Sequence, residues 1–189
     1  MGAYGISGKQ NTPIGSNAYY VIKNAGCPVL IIPEERQAKH FTNVLYPVRP
    51  DYGTLRQFGV VKDIAAGSGP CYFEILAILD DNGTREADRI SGIVDAVELE
   101  MNANEKVKIS VSYNVEVNIV EEILQKVSDI HADLLIISST IDAEFKEYYV
   151  GPFAHEIICR ADIPFLSLTL ILLSSLLNSI PYWYICQPV

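Results

Sequence analysis

The sequence predicts an α/β fold in which helices sandwich a five-stranded parallel sheet. Two observations carry this prediction. From residue 40 onward short aliphatic runs alternate with segments of helical period, and residues 15–30 recur later in the chain as residues 151–166. Strands that alternate with helices of this length favour right-handed crossovers, which produce a parallel sheet covered on both faces.

Five aliphatic runs have the length and composition of buried strands, which in parallel sheets consist almost entirely of Val, Ile and Leu. The predicted strands are residues 44–48, 72–79, 107–111, 134–138 and 163–168.

Four helix candidates lie between the strands. The clearest follows Thr84, a suitable N-cap, and has apolar residues at alternating spacings of three and four. These residues are Ala87, Ile90, Val94, Val97 and Met101. A second helix is predicted from residue 118 to about residue 131. Its apolar stripe consists of Ile119, Ile123, Val127 and Ile130.

The repeated segment divides the chain into units. Residues 15–30 align with residues 151–166 without gaps, and glycine, alanine, an aliphatic pair, proline and leucine fall in register. A self-match whose period is near one domain length indicates duplication of a whole domain. The predicted parts are a C-terminal fragment of a first domain (1–33), a linker (34–42), a complete domain (43–168) and an apolar tail (169–189).

The fragment is predicted to contain a helix over residues 15–24 and a strand over residues 28–32. A piece of this size cannot bury its apolar face alone. Its strand is therefore expected to pair with the complete unit or with another chain. We accordingly predict self-association through the last strand, either as a homodimer or as an intrachain pseudo-dimer.

The net charge of -9 argues against one class of partner. The acidity belongs to the complete unit, because the first 40 residues contain four basic residues against two acidic ones. An acidic domain without a stripe of Lys and Arg argues against nucleic acid, since phosphate contacts supply most of that affinity.

The cysteines and the first residues predict a cytoplasmic protein. Cys27, Cys71, Cys159 and Cys186 form no C-x-x-C pair and have no matched histidine spacing. We interpret them as free thiols rather than as a disulfide framework or a zinc site. The basic and apolar regions of an export signal are not found at the start of the sequence.

Glycines near the front of the chain indicate an anion site. Gly2 and Gly5 are followed, after nine residues, by Gly15 and Ser16. Glycines let the backbone approach a phosphate closely, and Gly15-Ser16 would open a helix whose free N–H groups and positive dipole end favour an anion. The Ser16 hydroxyl can add one donor. The alternative is that these glycines serve only a strand-to-helix turn.

The pattern Gly2-x2-Gly5-x9-Gly15-Ser16 resembles the nucleotide-binding loop of the universal stress protein family. Residues 43–48, 133–138 and 28–33 resemble that family's first, fourth and fifth strands. The resemblance implies a Rossmann-like fold of the adenine nucleotide alpha hydrolase type, with fifth strands pairing across a pseudo-two-fold axis. It also implies a non-enzymatic stress-response or regulatory module, with ATP as the candidate cofactor at this loop.

Departures from the family pattern concern the complete unit. Family members that bind ATP usually have an aspartate just after the first strand, where this sequence has Arg49. In the second loop, Gly2, Gly5 and Ser16 correspond to Ser138, Ile141 and Pro152, and only Gly151 is kept. Ile141 is β-branched where close backbone approach is needed, and Pro152 lacks a donor N–H. We therefore expect the complete unit not to hold ATP in the family's manner, so the ATP prediction rests on the fragment.

Met1 also fits this resemblance, because a hydrophobic residue followed by Met and Gly often ends the family's fourth strand. We therefore expect the chain to be a truncated gene product whose start was assigned at an internal methionine.

No catalytic or metal site is predicted. His131 and His155 are interpreted as surface or boundary histidines, and residues 80–83 as a solvated acidic turn. An adenylating or hydrolytic enzyme on the same fold is one alternative, which the lack of a positioned acid, base or nucleophile argues against. A ligand-free interaction domain is another.

The tail is apolar and contains no charged residue. As a helix, residues 165–180 would reach about 24 Å, which is short of a hydrocarbon core of about 30 Å. Because the repeat assigns residues 165–168 to the last strand, we interpret the tail as an extension that packs on the fragment or as sequence read past a damaged stop. A membrane anchor is the alternative.

Overall fold

The computed structural model describes residues 16–25, 27–33, 40–48, 59–61, 63, 67, 69–79, 88, 91–92, 94–95, 99, 107–115, 118–140, 156–157 and 160–170. The elements are α1 (Ser16–Asn24), β1 (Val29–Ile31), β2 (Asn43–Val48), β3 (Cys71–Leu79), β4 (Val107–Val115), α2 (Ile119–Asp129), β5 (Leu134–Thr140) and β6 (Phe165–Leu170). Parts of further helices are formed by residues 59–67, 88–99 and 156–160 where they are described.

The strands form one sheet in the order β1-β6-β5-β2-β3-β4. The pairs from β6 to β4 are all parallel, which confirms the predicted five-stranded parallel sheet. The sheet is mixed as a whole, because β1 joins it as a sixth, antiparallel strand. Among the described helices, none is long and apolar enough to cross a membrane.

β2 and β3 each begin one residue earlier than predicted, and β4, β5 and β6 end two to four residues later, so that β6 includes the first two residues of the predicted tail. β4 continues to Val115. The predicted strand ended at residue 111 because residues 112–115 alternate between polar and apolar instead of extending the aliphatic run. β6 begins at Phe165 and not at Ile163. Pro164 has no N–H to donate to a ladder, although its carbonyl accepts a hydrogen bond from Leu135 N at 3.0 Å.

The strand of the amino-terminal fragment pairs with the last strand of the same chain. Val29 lies opposite Ser167, and Ile31 lies opposite Phe165. The helix that precedes β1 is packed on the sheet as well, since Ala18 and Ile22 are each only 2% exposed. That this segment is the remnant of a duplicated domain stays a prediction.

The sheet has two apolar faces, because alternate residues of a strand face opposite sides. On the first face, α1 and α2 cover a cluster that includes Leu45, Leu76, Leu135, Ile137 and Phe165. On the second face, Val61 and Val94 pack against a cluster that includes Val44, Tyr46, Phe73, Ile75, Leu134 and Ile136. Helices therefore cover both faces of the sheet, which confirms the predicted sandwich.

The described parts of the predicted helices agree with their patterns. Val94 is buried, as its apolar stripe predicts, whereas Thr84 lies outside the described residues. α2 begins after Asn118, whose side chain accepts a hydrogen bond from Glu121 N. It ends at Asp129, shortly before His131, which is exposed and has a positive φ of 50°. His131 is therefore a boundary residue, as expected.

Asp133 joins the beginnings of β2 and β5. Its carboxylate accepts hydrogen bonds from Thr42 N at 2.8 Å, Thr42 Oγ1 at 2.7 Å and Asn43 N at 3.0 Å. The Asp133 N–H donates in turn to Asn43 O at 2.8 Å. These bonds set two neighbouring parallel strands at one level, and so determine which residues lie side by side at their other ends.

An ion pair lies beneath α2 on the first face. Glu74, in the middle of β3, has a side chain that is 3% exposed, and its Oε1 lies 3.2 Å from Lys126 Nζ. The Tyr72 hydroxyl donates to Glu74 Oε2 at 2.7 Å. A carboxylate removed from water needs such partners, because its desolvation costs several kcal/mol.

Candidate functional site

The structure places one residue of the predicted phosphate loop. Ser16 is the first residue of α1, directly after Gly15. The other predicted site residues, Gly2, Gly5 and Gly15, lie outside the described residues. Ile141, Gly151 and Pro152, in the corresponding loop of the complete unit, also lie outside the described residues. The same holds for Arg49 and His155.

The topology nevertheless determines the edge of the sheet at which Ser16 lies. α1 contacts β1 and is joined to it by residues 25–28. A helix and strand joined this closely run in opposite directions, so Ser16 is level with the Ile31 end of β1. Because Ile31 lies opposite Phe165, Ser16 belongs to the edge at which β6 and its parallel neighbours begin.

The complete unit has a topological switch point between β2 and β5. From β2 the chain adds β3 and then β4 on one side, and it returns to place β5 and then β6 on the other. Ligands of open α/β sheets bind outside the carboxyl ends of the strands where the order reverses. That crevice is at the edge opposite to Ser16.

Tyr46 and Ser138 lie on the two strands of the switch point. Val44 pairs with Leu134 there. Tyr46 is two residues beyond Val44 and Ser138 is four beyond Leu134, which puts both toward the carboxyl ends of their strands and on the second face. The Tyr46 side chain is fully buried, and its ring contacts Phe73 edge to face with centroids 6.3 Å apart.

The two hydroxyl groups are buried neighbours without a satisfactory partner. Neither Tyr46 Oη nor Ser138 Oγ has a hydrogen bond of acceptable geometry. Burial raises the pKa of Tyr46 to about 12, and the Ser138 hydroxyl offsets part of this rise. The phenol is therefore protonated at neutral pH and can donate a hydrogen bond. Buried polar groups in native proteins are nearly always paired, so two orphans side by side require an explanation.

The raised pKa predicts a loss of stability at alkaline pH. In the unfolded chain the phenol titrates near 10.0, whereas in the folded chain it titrates at about 12. Tyr46 thus contributes stability that is complete below pH 10 and is lost as pH rises toward 12, by about 1.4 kcal/mol per pH unit. Urea unfolding of the wild type and of Tyr46→Phe over pH 9 to 12 measures the difference.

The exposed Tyr20→Phe substitution is the control for that titration. Tyr20 is 68% exposed, so Tyr20→Phe removes a tyrosine hydroxyl that is not buried. Parallel curves for Tyr46→Phe and the wild type would contradict the assigned shift.

The Lys and Arg side chains that the structure describes, those of Lys126 and Arg160, form ion pairs with glutamates on the first face of the sheet or on its helices. Lys126 pairs with Glu74, which shares the first face with Leu76. Arg160 donates to both carboxylate oxygens of Glu121, at 2.6 and 3.0 Å, and to Glu156 at 3.1 Å. These bonds lower the pKa of Glu121 and raise that of Arg160.

The described cysteines are both free thiols, as predicted. Cys27 is exposed and Cys71 is buried. Burial, followed by the charge of Asp133, raises the pKa of the Cys71 thiol. Within the described ranges, no group of His, Cys, Asp and Glu is placed to hold a metal ion.

Sequence reasoning did not identify the Tyr46–Ser138 pair. The signal that could have found it is a tyrosine inside an otherwise aliphatic predicted strand, residues 44–48. A tyrosine buried in a sheet brings a hydroxyl that needs a partner. The partner strand could not be named before the order of the sheet was known.

Solved universal stress proteins have the same fold. A structure described as a universal stress protein from Pseudomonas aeruginosa UCBPP-PA14 matches with a TM-score of 0.63 and 14% identity, over 89% of this chain and 62% of that one. A universal stress protein from Archaeoglobus fulgidus DSM 4304 matches with a TM-score of 0.62 and 18% identity, over 80% of this chain and 53% of that one.

A universal stress protein in complex with cAMP matches with a TM-score of 0.53 and 18% identity, over 69% of this chain and 98% of that one. The chain thus spans less than two thirds of the first two proteins and nearly all of the third. These likenesses confirm the predicted fold class as that of universal stress proteins. Neither a protein-family model nor a curated protein matches the sequence.

Proposed function

We propose that this chain is a non-enzymatic stress-response or regulatory module that binds an adenine nucleotide, with ATP as the first candidate, through Gly2, Gly5, Gly15 and Ser16. The observation that carries the proposal is the start of α1 at Ser16, directly after Gly15. The first N–H groups of a helix have no partner within the helix, and its positive dipole end favours a phosphate.

The packing of α1 supports this proposal. α1 is nine residues long, and its buried Ala18 and Ile22 hold it against the sheet. Its amino-terminal N–H groups are therefore held in place before a ligand binds, which reduces the entropy that binding must overcome. The cAMP complex of a protein with this fold favours a nucleotide as the ligand class.

The module would act in the cytoplasm and associate with itself through its last strand. Pairing of β1 with β6 within one chain is consistent with the intrachain form of that association. A non-enzymatic role fits the sequence pattern, in which no acid, base or nucleophile was assigned to the loop.

Isothermal titration of the full chain with ATP, AMP and cAMP tests the nucleotide proposal. We expect saturable binding of at least one of them, weakened about tenfold by Ser16→Asp, because a carboxylate at the first turn repels phosphate; tenfold corresponds to about 1.4 kcal/mol. Asn17→Asp is the matched control, since Asn17 is the adjacent exposed residue of α1. Equal losses in both variants would indicate a general charge effect and no site at Ser16.

A ligand-free interaction domain is the second candidate. The antiparallel pair of β1 and β6 favours it, since main-chain pairing of these strands joins the amino-terminal segment to the complete unit. Lack of binding of all three nucleotides to the full chain would support this candidate over the first.

A further inference from the structure

We propose that the outer edge of β4 pairs with β4 of a second copy of this chain, in an antiparallel register centred on Val111. Two six-stranded sheets would then join edge to edge. This surface is separate from the last strand, through which self-association was predicted, and it does not depend on nucleotide binding.

The strand order makes β4 the edge that is available to a second copy. β6 already has a neighbour on each side, β5 and β1, so it cannot pair with another chain while β1 stays in place. The terminal strands of the described sheet are β1, with three residues, and β4, with nine. Because the outer N–H and C=O groups of a terminal strand need partners, the longer edge is the stronger template for another strand.

β4 lacks the features that usually protect an edge strand from pairing. Proteins protect their edges with prolines, bulges and several charged side chains. Residues 107–115 contain no proline, and Lys108 is their only charged residue. Each of the nine pairs in succession with a residue of β3, from Val107 with Cys71 to Val115 with Leu79, without a bulge. The edge is therefore long and regular.

The polarity of β4 is complementary to itself. Val111 is level with Ile75 on the second face, and Ser110 is level with Glu74 on the first. Residues 107–115 alternate between apolar and polar, and they begin and end with an apolar residue. Antiparallel pairing about Val111 would therefore set like against like. The opposed positions are Val107 with Val115 and Ile109 with Tyr113 on the second face, and Lys108 with Asn114 and Ser110 with Ser112 on the first.

This register also uses the whole length of the strand. Every second residue of an edge strand directs its N–H and C=O outward, so nine residues supply about four or five and full pairing forms about eight to ten hydrogen bonds. A two-fold axis perpendicular to the sheet at Val111 keeps each face continuous across the two copies. A register shifted along the strand would leave residues at both ends unpaired.

Lys108 and Asn114 provide the test of this register. Lys108 of one copy would lie opposite Asn114 of the other, and the two-fold axis creates this pair twice. Within one chain the two residues are six positions apart, which is roughly 20 Å along an extended strand. Asn114→Lys thus sets lysine against lysine only in the dimer, whereas Asn114→Glu sets glutamate against lysine.

Sedimentation equilibrium of the full chain over a series of concentrations measures the dissociation constant of the dimer. We expect the constant to rise about fivefold in Asn114→Lys and to fall about fivefold in Asn114→Glu, because each of two cross-strand charge pairs contributes about a factor of two. Added salt should reduce both effects, since it screens exposed charges. Hydrogen exchange of the β4 amides should slow as the wild type dimerises.

Ser128→Lys and Ser128→Glu are the matched controls, because they place the same charges at an exposed position of α2. The chain has a net charge of -9, so general repulsion between copies would be relieved by lysine and increased by glutamate. A general charge effect therefore has the opposite sign to the effect expected at Asn114. Melting temperatures at high dilution check that each variant folds.

Three outcomes would overturn this inference. One is a wild type that stays monomeric up to about 1 mM, where an association of only about 4 kcal/mol would be detected. Another is a dimer in which the two Asn114 variants behave alike or follow the order of the Ser128 variants. The third is β4 amide exchange that is equal in monomer and dimer, which would place the interface at another surface, and this measurement needs no variant.

Discussion

Replacing Lys126 with methionine is expected to lower the free energy of unfolding by about 3 kcal/mol, the loss typical of a buried ion pair that keeps only one partner. Methionine retains most of the aliphatic stem, so the change removes the charge and little packing. Glu74, whose side chain is 3% exposed, would then lose the cation that lies 3.2 Å from its carboxylate, and the Tyr72 hydroxyl would remain as a hydrogen-bond donor to it. Urea unfolding monitored by circular dichroism measures the loss.

Two further variants separate the charge from the packing. Lys126→Arg keeps a cation at this position and should lose much less stability than Lys126→Met. The double variant Glu74→Leu with Lys126→Met removes both charges, and we expect it to recover part of the loss, since apolar replacements of buried pairs are often neutral. A double variant less stable than Lys126→Met would contradict this account.

Replacing Asp133 with alanine is expected to cost about 2 to 3 kcal/mol, because hydrogen bonds to a charged acceptor contribute more than neutral ones. Its carboxylate accepts three hydrogen bonds from Thr42 and Asn43, two of them in an exposed setting. Loss of these bonds releases the beginning of β2 from β5. Native-state hydrogen exchange of the β2 amides should rise together with the loss of global stability.

Asp133→Asn and Asp129→Ala are the comparisons for that experiment. Asparagine keeps one acceptor oxygen, so its cost should be intermediate. Asp129 is exposed and accepts a single hydrogen bond, from Gln125 in the same helix, so Asp129→Ala should cost no more than about 0.5 kcal/mol. If Asp133→Ala costs as little as Asp129→Ala, the joining role assigned to Asp133 is wrong.

Much of the fold could be predicted because its signals are local. The aliphatic runs identified all five parallel strands, and the helix over Ile119–Asp129 was visible in its apolar stripe. The end of β4 was missed because residues 112–115 alternate in polarity, which a search for continuous apolar runs does not detect. β6 was started too early because Pro164 is apolar yet cannot donate to a ladder.

Among the candidate sites, too, the residues with a local signal in the sequence were predicted and those without one were not. Ser16 was predicted to open a helix, and α1 begins at this residue, whereas its role in a phosphate site stays a prediction. Tyr46 and Ser138 are 92 positions apart in the sequence, and nothing local marks them as neighbours. The Glu74–Lys126 pair was likewise missed, because its residues lie on a strand and on a helix that pack only in the folded chain.

By itself the sequence determined the class of fold, the position of the strands and the internal repeat, since each depends on the period of apolar residues or on self-similarity. Only the tertiary structure decided that β1 pairs with β6 in the same chain and that Tyr46 lies beside Ser138. The physical reason is that strand order and register are set by packing between distant segments. Those contacts bury apolar surface on both faces of the sheet, and they have no counterpart in the local pattern of residues.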